Sequence, residues 1–284
     1  MTDDPYETTD LAAHAAYAAI ITTLTTAITN ITPENYPPHI GEAPQTQSVP
    51  QGGSITLYAP FTSYGKVPSV QWRRNGASIS GATSYYQITE AGTLVNGVYM
   101  ATLTLMNLNS TNTANYDVIV SSPNGTTTSG AGALTVTKPV STQNDGLPDF
   151  WKTANGIDPN SNAPIYGPLG DIEKDGSSNL LEYAFNTNPN ASEANPIFAE
   201  IVTKVADGLK YLEVTYPRRI GALDLLYTVE ISEDLGTWPS PGASIELVST
   251  APNADGITET VTVRVLPAIS DAGRKFARLR VTGQ

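Results

Sequence analysis

The sequence predicts a mainly β, multidomain protein with an N-terminal helix, two β-rich regions and a short helical acidic segment between them. Three observations carry this. A dozen short stretches alternate apolar and polar residues with the period of two expected for half-buried strands, and Gly, Pro, Asn and Asp clusters separate them. The length, 284 residues, exceeds that of a usual single domain. Hydrophobic residues make up 40% of the chain and charged residues only 15%, with abundant Thr, a composition that suits β modules with real cores.

Residues 10–32 form the one long helical pattern. Thr9 or Asp10 can cap it, the Ala-rich stretch LAAHAAYAA favours helix, and Pro33 followed by Pro37 and Pro38 stops it. Tyr17, Ile21, Leu24, Ile28 and Ile31 are spaced 4, 3, 4, 3 and make a heptad seam. The stripe must be covered. Either it lies on a neighbouring domain, or it self-associates, with β-branched seam residues favouring a trimer or larger assembly over a dimer. With the Pro-rich linker this region is 1–42.

Between 43 and 138, SITLYAP, SVQWRRNG, YQIT, VYMATLTLMNL, YDVIVSS and GALTVTK each fit a strand. Ile55, Leu57 and Ala59, then Leu103, Leu105 and Leu108, supply inward positions, with Trp72 on the strand between them and Tyr116 in NTANYDV. These residues resemble the immunoglobulin-like β-sandwich: Trp72 matches its strand C tryptophan and Tyr116 its tyrosine corner. The two disulfide positions of that family fall on Ala59 and Val118, and the chain has no Cys.

The segment 139–192 holds the chemistry. Across residues 141–200 nine acids face two bases. The stretch Asp171–Glu182, DIEKDGSSNLLE, read as a twelve-residue loop, places oxygen side chains at positions 1, 3, 5, 9 and 12: Asp171, Glu173, Asp175, Asn179 and Glu182. Ser177 at position 7 offers its backbone carbonyl, and Gly176 stands at position 6, where an EF-hand-type loop turns sharply. Ca²⁺ takes about six to eight hard oxygen ligands, and these residues can supply them. The alternative is a solvated acidic loop. Glu173 is a methylene longer than the usual Asp or Asn at its position. The stretches NDGLPDFWKTANGIDPN and GDIEKDGSSNLLEYAFNTNPN resemble the thrombospondin type 3 and dockerin calcium-binding repeats, which implies two acidic loops, each leading into a short helix. In the first loop Asp145, Gly146 and Asp149 keep positions 5, 6 and 9, but Ser141, Gln143 and Lys152 replace acids at 1, 3 and 12. That loop is expected to bind no calcium of its own, with Asp145 and Asp149 capping a helix over 149–154. Phe150 and Trp151 are expected in the core.

From 193 to 284 the pattern returns to strands: FAEIVTK, KYLEVTY, LYTVEIS, SIELVST, ETVTVRV and FARLRVT, with turns at Ala206–Gly208 and Asn253–Gly256. TYPRRIGALDLLYTVEISEDLGTW and FARLRVT resemble the C-terminal β module of large bacterial surface proteins of the Verrucomicrobia and Planctomycetes type, a second β-sandwich that brings no activity with it. Arg218 and Arg219 make either a small anion site or an exposed pair on an edge turn.

Composition narrows the function. A net charge of −12 argues against nucleic acid or anionic membrane as partner, and no apolar run reaches the roughly 18 residues of a membrane span. The absence of Cys excludes thiolate metal sites and Cys nucleophiles. His14 and His39 both precede the first β-rich stretch, and no catalytic set of residues is evident. The acidic N-terminus MTDDPYETTD lacks the positive start of a signal peptide. The expectation is a non-catalytic, modular extracellular or cell-surface protein, an adhesin, appendage or fibre subunit, with a calcium-rigidified interdomain joint. The alternative is the glycan-binding accessory region of a secreted enzyme, for which Tyr58, Tyr64, Tyr85, Tyr86 and Tyr99 are the candidate exposed aromatics.

Overall fold

The structure is a computed structural model that describes residues 20, 22–24, 26, 36–64, 67–238, 244–269 and 274–284. Of the helix expected over 10–32, Ile20, Thr22, Thr23, Leu24 and Thr26 are helical, and Leu24 is exposed. His14 and the other seam residues, Tyr17, Ile21, Ile28 and Ile31, lie outside the described residues. The protein is mainly β and built of more than one sheet system. It divides into two compact units, the first comprising 1–47, 55–105 and 114–134, the second 48–54, 106–113 and 135–284.

The first unit is an immunoglobulin-like sandwich. One sheet orders β1 (His39–Ile40), β3 (Ile55–Thr62), β7 (Thr93–Leu105) and β6 (Tyr85–Glu90). The other orders β2 (Gln47–Pro50), β10 (Gly132–Thr137), β8 (Ala114–Ser122), β4 (Ser69–Arg74) and β5 (Ala77–Ser78), with β9 (Gly125–Thr128) also on β8. In immunoglobulin lettering this is A-B-E-D facing A′-G-F-C-C′, the edge strand A being shared between the sheets. Alternation does the sorting. Leu57, Ala59 and Phe61 of β3 point inward with Val70 and Trp72 of β4 and Val118 and Val120 of β8, all buried. Trp72 is fully buried and pairs in register with Val118, and Ala59 and Val118, the two positions without Cys, are fully buried as well. Tyr116 is buried as well. Of the five tyrosines singled out as a glycan face, Tyr85 and Tyr99 instead turn inward around Phe61, with Tyr99 stacked on it at 5.2 Å between ring centroids. Tyr64 packs on Gly97, whose missing Cβ leaves the ring its place. Tyr58 and Tyr86 are the two that stand half-exposed.

In the second unit the segment 139–192 and the C-terminal strands share one body. Two short helices, α1 (Asp149–Ala154) and α2 (Asn179–Phe185), precede a four-stranded sheet ordered β11 (Phe198–Thr203), β12 (Lys210–Arg219), β15 (Thr258–Val265) and β14 (Ile245–Pro252). A two-stranded sheet, β13 (Leu225–Ser232) with β16 (Phe276–Gly283), packs on it through Val214, Tyr216, Val229, Val261 and Val263. Asp207 and Asp255 close the two turns expected from the sequence by accepting backbone N–H groups two residues on, and Gly208 and Gly256 take the left-handed conformations those turns require. The helices and the loops beside them contribute Leu147, Trp151, Ile157, Tyr183, Ala184 and Phe185 to a core completed by Leu225 and Val281 from β13 and β16. Neither helix is long enough to hold its fold alone; burial of one face against these strands supplies the stability.

Candidate metal centre

The loop Asp171–Glu182 winds around its first residue. Asp171 at the first position accepts from the backbone N–H groups of Lys174, Asp175 and Gly176 at 2.6, 3.2 and 2.9 Å, which winds the chain around its carboxylate. Gly176 sits at φ 96°, a conformation that any side chain would strain, and this sharp turn brings the later ligand positions back. Asp175 accepts from Ser177 N and from Glu193 N, and those bonds, the one from Glu193 foremost, hold its carboxyl below the usual range. One oxygen each from Asp171, Glu173 and Asp175 lies within 4.8 Å of the others, a grouping that a single divalent ion can bridge.

The deeper end of the site is built by α2. Asn179 is its first residue and is wholly buried. Its Nδ2 donates to the carbonyls of Ile165 and Gly167 at 2.9 and 2.8 Å, so its orientation is fixed and only Oδ1 is left over. Gly170 permits that approach: a Cβ there would meet the Ile165 carbonyl oxygen at 2.0 Å and Asn179 Nδ2 at 2.9 Å. Glu182, one turn along, is 1% exposed. Burial, then the charge of Glu173 and a hydrogen bond shared with it, and then the charges of Asp175 and Asp171 push its carboxyl up to about 8. With every acid ionised, four oxygens of this loop and helix are buried with no hydrogen-bond donor among the described residues: both carboxylate oxygens of Glu173, Asn179 Oδ1 and Glu182 Oε2. A folded protein leaves few buried acceptors unpaired, because each forfeits the free energy of a hydrogen bond to water. Four in one loop, all oxygens and all at ligand positions, suit a hard-cation site. The extra methylene of Glu173 does not carry it out of the cluster. Ser177 takes part through its backbone, its N–H already turned to Asp175.

The first loop solves the same problem differently. Lys152 holds the twelfth position, is fully buried, and places Nζ 2.6 Å from Asp145 Oδ2. Asp145 Oδ1 accepts from Leu147 N and from Ser141 Oγ, the first-position side chain. An ammonium tethered to the helix thus stands among the first-, fifth- and twelfth-position groups, where the second loop gathers only oxygens. The expected capping role is corrected: the N-cap of α1 is Pro148, with no side-chain cap, and Asp149 instead accepts from Thr142 N and Oγ1 at 2.8 and 2.6 Å.

The surroundings of Tyr183, the residue after Glu182, were not legible in the sequence. Tyr183 is buried, packs edge-on against Trp151 and Phe150, and donates from its hydroxyl to Asp224 at 2.8 Å. Gln51 Nε2 donates to the same carboxylate at 3.2 Å, and burial raises the carboxyl of Asp224 above its ordinary value. Arg219 lies over the Tyr183 ring at 4.4 Å and donates from Nε to the Tyr183 carbonyl and from Nη2 to Asn186 Oδ1, capping the end of α2. The expected exposed arginine pair is therefore split: Arg218 pairs with Glu259 at 2.6 Å, while Arg219 belongs to the helix. The twelfth ligand position and this network are adjacent residues of one helix, so the loop is mechanically joined to β12 and β13.

No protein-family model matches the chain, and no curated protein matches it either. Solved structures with partial likeness are immunoglobulin-type. They include a chimeric titin Z1Z2 carrying a KLER peptide from decorin (22% identity, 36% of this chain, 95% of that chain, TM-score 0.28). Tandem Ig repeats of Dlar share 18% identity over 36% of this chain and 48% of that chain, with a TM-score of 0.27. Rst D1-D2 aligns over 85% of this chain and 97% of its own at 14% identity, with a TM-score of 0.28.

Proposed function

We propose that this is a non-catalytic modular structural or adhesion protein of the cell exterior, in which calcium bound by Asp171, Glu173, Asp175, Asn179, Glu182 and the Ser177 carbonyl rigidifies the segment leading into the C-terminal strands. The single observation that supports the metal is the set of four unpartnered buried oxygens on Glu173, Asn179 and Glu182. Without a cation, the loop gathers Asp171, Glu173 and Asp175 within a few ångströms and buries Glu182 beside them, an arrangement that mutual repulsion opposes. Ca²⁺ held by these oxygens would offset that repulsion, and Tyr183 and Arg219 tie α2 to the strands. The first unit supports only the modular part of the reading: an immunoglobulin-like sandwich with Trp72 and Tyr116 in its core hosts many unrelated roles. Among the described residues no helix is long and apolar enough to cross a membrane. Self-association through the heptad seam of 10–32 completes the proposal as the means of assembly.

Chelation tests it. Removing calcium should expose the chain between Gly167 and Leu181 to protease while both β regions stay intact, and Asp171→Ala should reproduce this with calcium present. Calorimetry without a heat of calcium binding, together with chelator-independent cleavage, would reduce the loop to a solvated acidic turn.

A further inference from the structure

Arg218, Arg264, Arg278 and Arg280 of the second unit each have a carboxylate within 4.0 Å. Arg219 has none among the described residues. Its Nε and one N–H of Nη2 are spent on the end of α2, and Nη1 is left without a partner among those residues. The guanidinium lines a cleft of about 310 Å³, the lower end of the size that holds a small ligand. Phe150 and Ile257 form apolar wall, and Asn107, Asn155 and Thr187 stand around it. Those last three are uncommitted: among the described residues nothing bonds to the side chains of Asn107 or Thr187, and Asn155 uses only its Nδ2, on the Trp151 carbonyl. Burial pulls the pKa of Arg219 below its ordinary value despite the opposing charges of Asp224 and Asp255, so an anion placed against it would relieve a cost that the protein offsets only in part.

From this arrangement we infer that the cleft binds an acidic sugar, a hexuronate residue of a polysaccharide, with its carboxylate on the free N–H groups of Arg219, its ring hydroxyls on Asn107, Asn155 and Thr187, and its C–H face on Phe150. Each part of the cleft has a counterpart in that ligand. One unpaired arginine matches one carboxylate per ring and takes it through paired N–H donors. Three neutral side chains able to donate and accept match hydroxyls, which do both. The half-buried phenyl matches the apolar face of a pyranose ring. A peptide carboxyl terminus would use the arginine equally well, but its last residue offers the three neutral side chains one amide N–H, where a hexuronate ring offers several hydroxyls. The inference stands apart from the calcium proposal, and binding is therefore measured at saturating calcium.

The experiment titrates the full chain with digalacturonate, with neutral galactobiose, and with an N-acetylated dipeptide ending in Leu, read by calorimetry and by Trp emission. The acidic disaccharide should bind at least about tenfold more tightly than the neutral one, since a charge-assisted, paired bond to arginine is stronger than a neutral one. Arg219→Gln should abolish that preference. Because Arg219 also caps α2, a second variant separates recognition from folding. Asn107 is exposed and already sits at φ 51°, which Asp tolerates, so Asn107→Asp should leave thermal unfolding unchanged. It should weaken digalacturonate about two- to fivefold more than it weakens galactobiose at low salt, and that difference should vanish near 1 M salt. Equal binding of the two disaccharides, no binding of either, tighter binding of the dipeptide, or an Asn107→Asp variant that binds digalacturonate unchanged would each overturn the assignment.

Discussion

Replacing Glu182 by Gln should change the sign of its effect with calcium. In the calcium-free protein Glu182 is a carboxyl almost wholly buried beside three other acids, and its pKa is raised from 4.5 to about 8. A raised carboxyl pKa means that the folded state holds a proton the unfolded chain releases. Stability from this group is complete below about pH 4.5 and is lost as pH rises toward 8. Gln carries no such proton, so at pH 8 under chelation the variant should be more stable than the parent. With calcium the order reverses. For a site of the affinity usual for extracellular modules, roughly 10⁻⁴–10⁻³ M, 10 mM calcium is about 10–100 times the dissociation constant, which gives about 1.4–2.7 kcal/mol of stabilisation to the parent. For a unit of this size that is roughly a 3–10 °C rise in Tm, and Gln at the twelfth position should forfeit most of it. Calorimetric melts of both proteins at pH 8, in chelator and in 10 mM calcium with magnesium as control, read the four states. A parent Tm indifferent to calcium, or a variant less stable than the parent in chelator, would refute the reasoning.

Two further outcomes are expected. Trp72→Ala removes a wholly buried indole from between the sheets of the first unit and should cost about 3–5 kcal/mol in denaturant unfolding; red-shifted, readily quenched Trp72 emission in the native protein would contradict its burial. Lys152→Met deletes the buried ammonium of the first loop and leaves Asp145, 20% exposed, with only Leu147 N and Ser141 Oγ. It should cost about 1–3 kcal/mol, less than a fully buried pair because water can reach Asp145. An unchanged denaturation midpoint would show that this ion pair does not hold the loop.

Much of this protein is written in local pattern. Period-two alternation placed the strands, including those carrying Leu57, Trp72, Val118, Val214 and Val263, because a sheet buried on one face repeats every second residue whatever its partner. The loop positions were legible for a related reason: Asp171, Asp175, Gly176 and Glu182 lie within one turn-and-helix segment, so their spacing alone fixes their geometry. Lys152 was legible as a departure, but not as a replacement cation, since that depends on a buried path to Asp145. The rest was decided by contacts between residues far apart in the chain. Nothing near Tyr183 announces Asp224, Gln51 or Arg219, and nothing near Arg219 marks it as a helix cap unlike its neighbour Arg218. Tyr85 and Tyr99 differ from Tyr58 and Tyr86 only by the side of the sheet they fall on, which register decides. Gly170 looks like any loop glycine until the Ile165 carbonyl and the Asn179 amide are brought against it. Sequence spacing determines which groups can meet within a turn or a strand; which of them lose water and must find partners across the fold is settled only when the strands and helices pack.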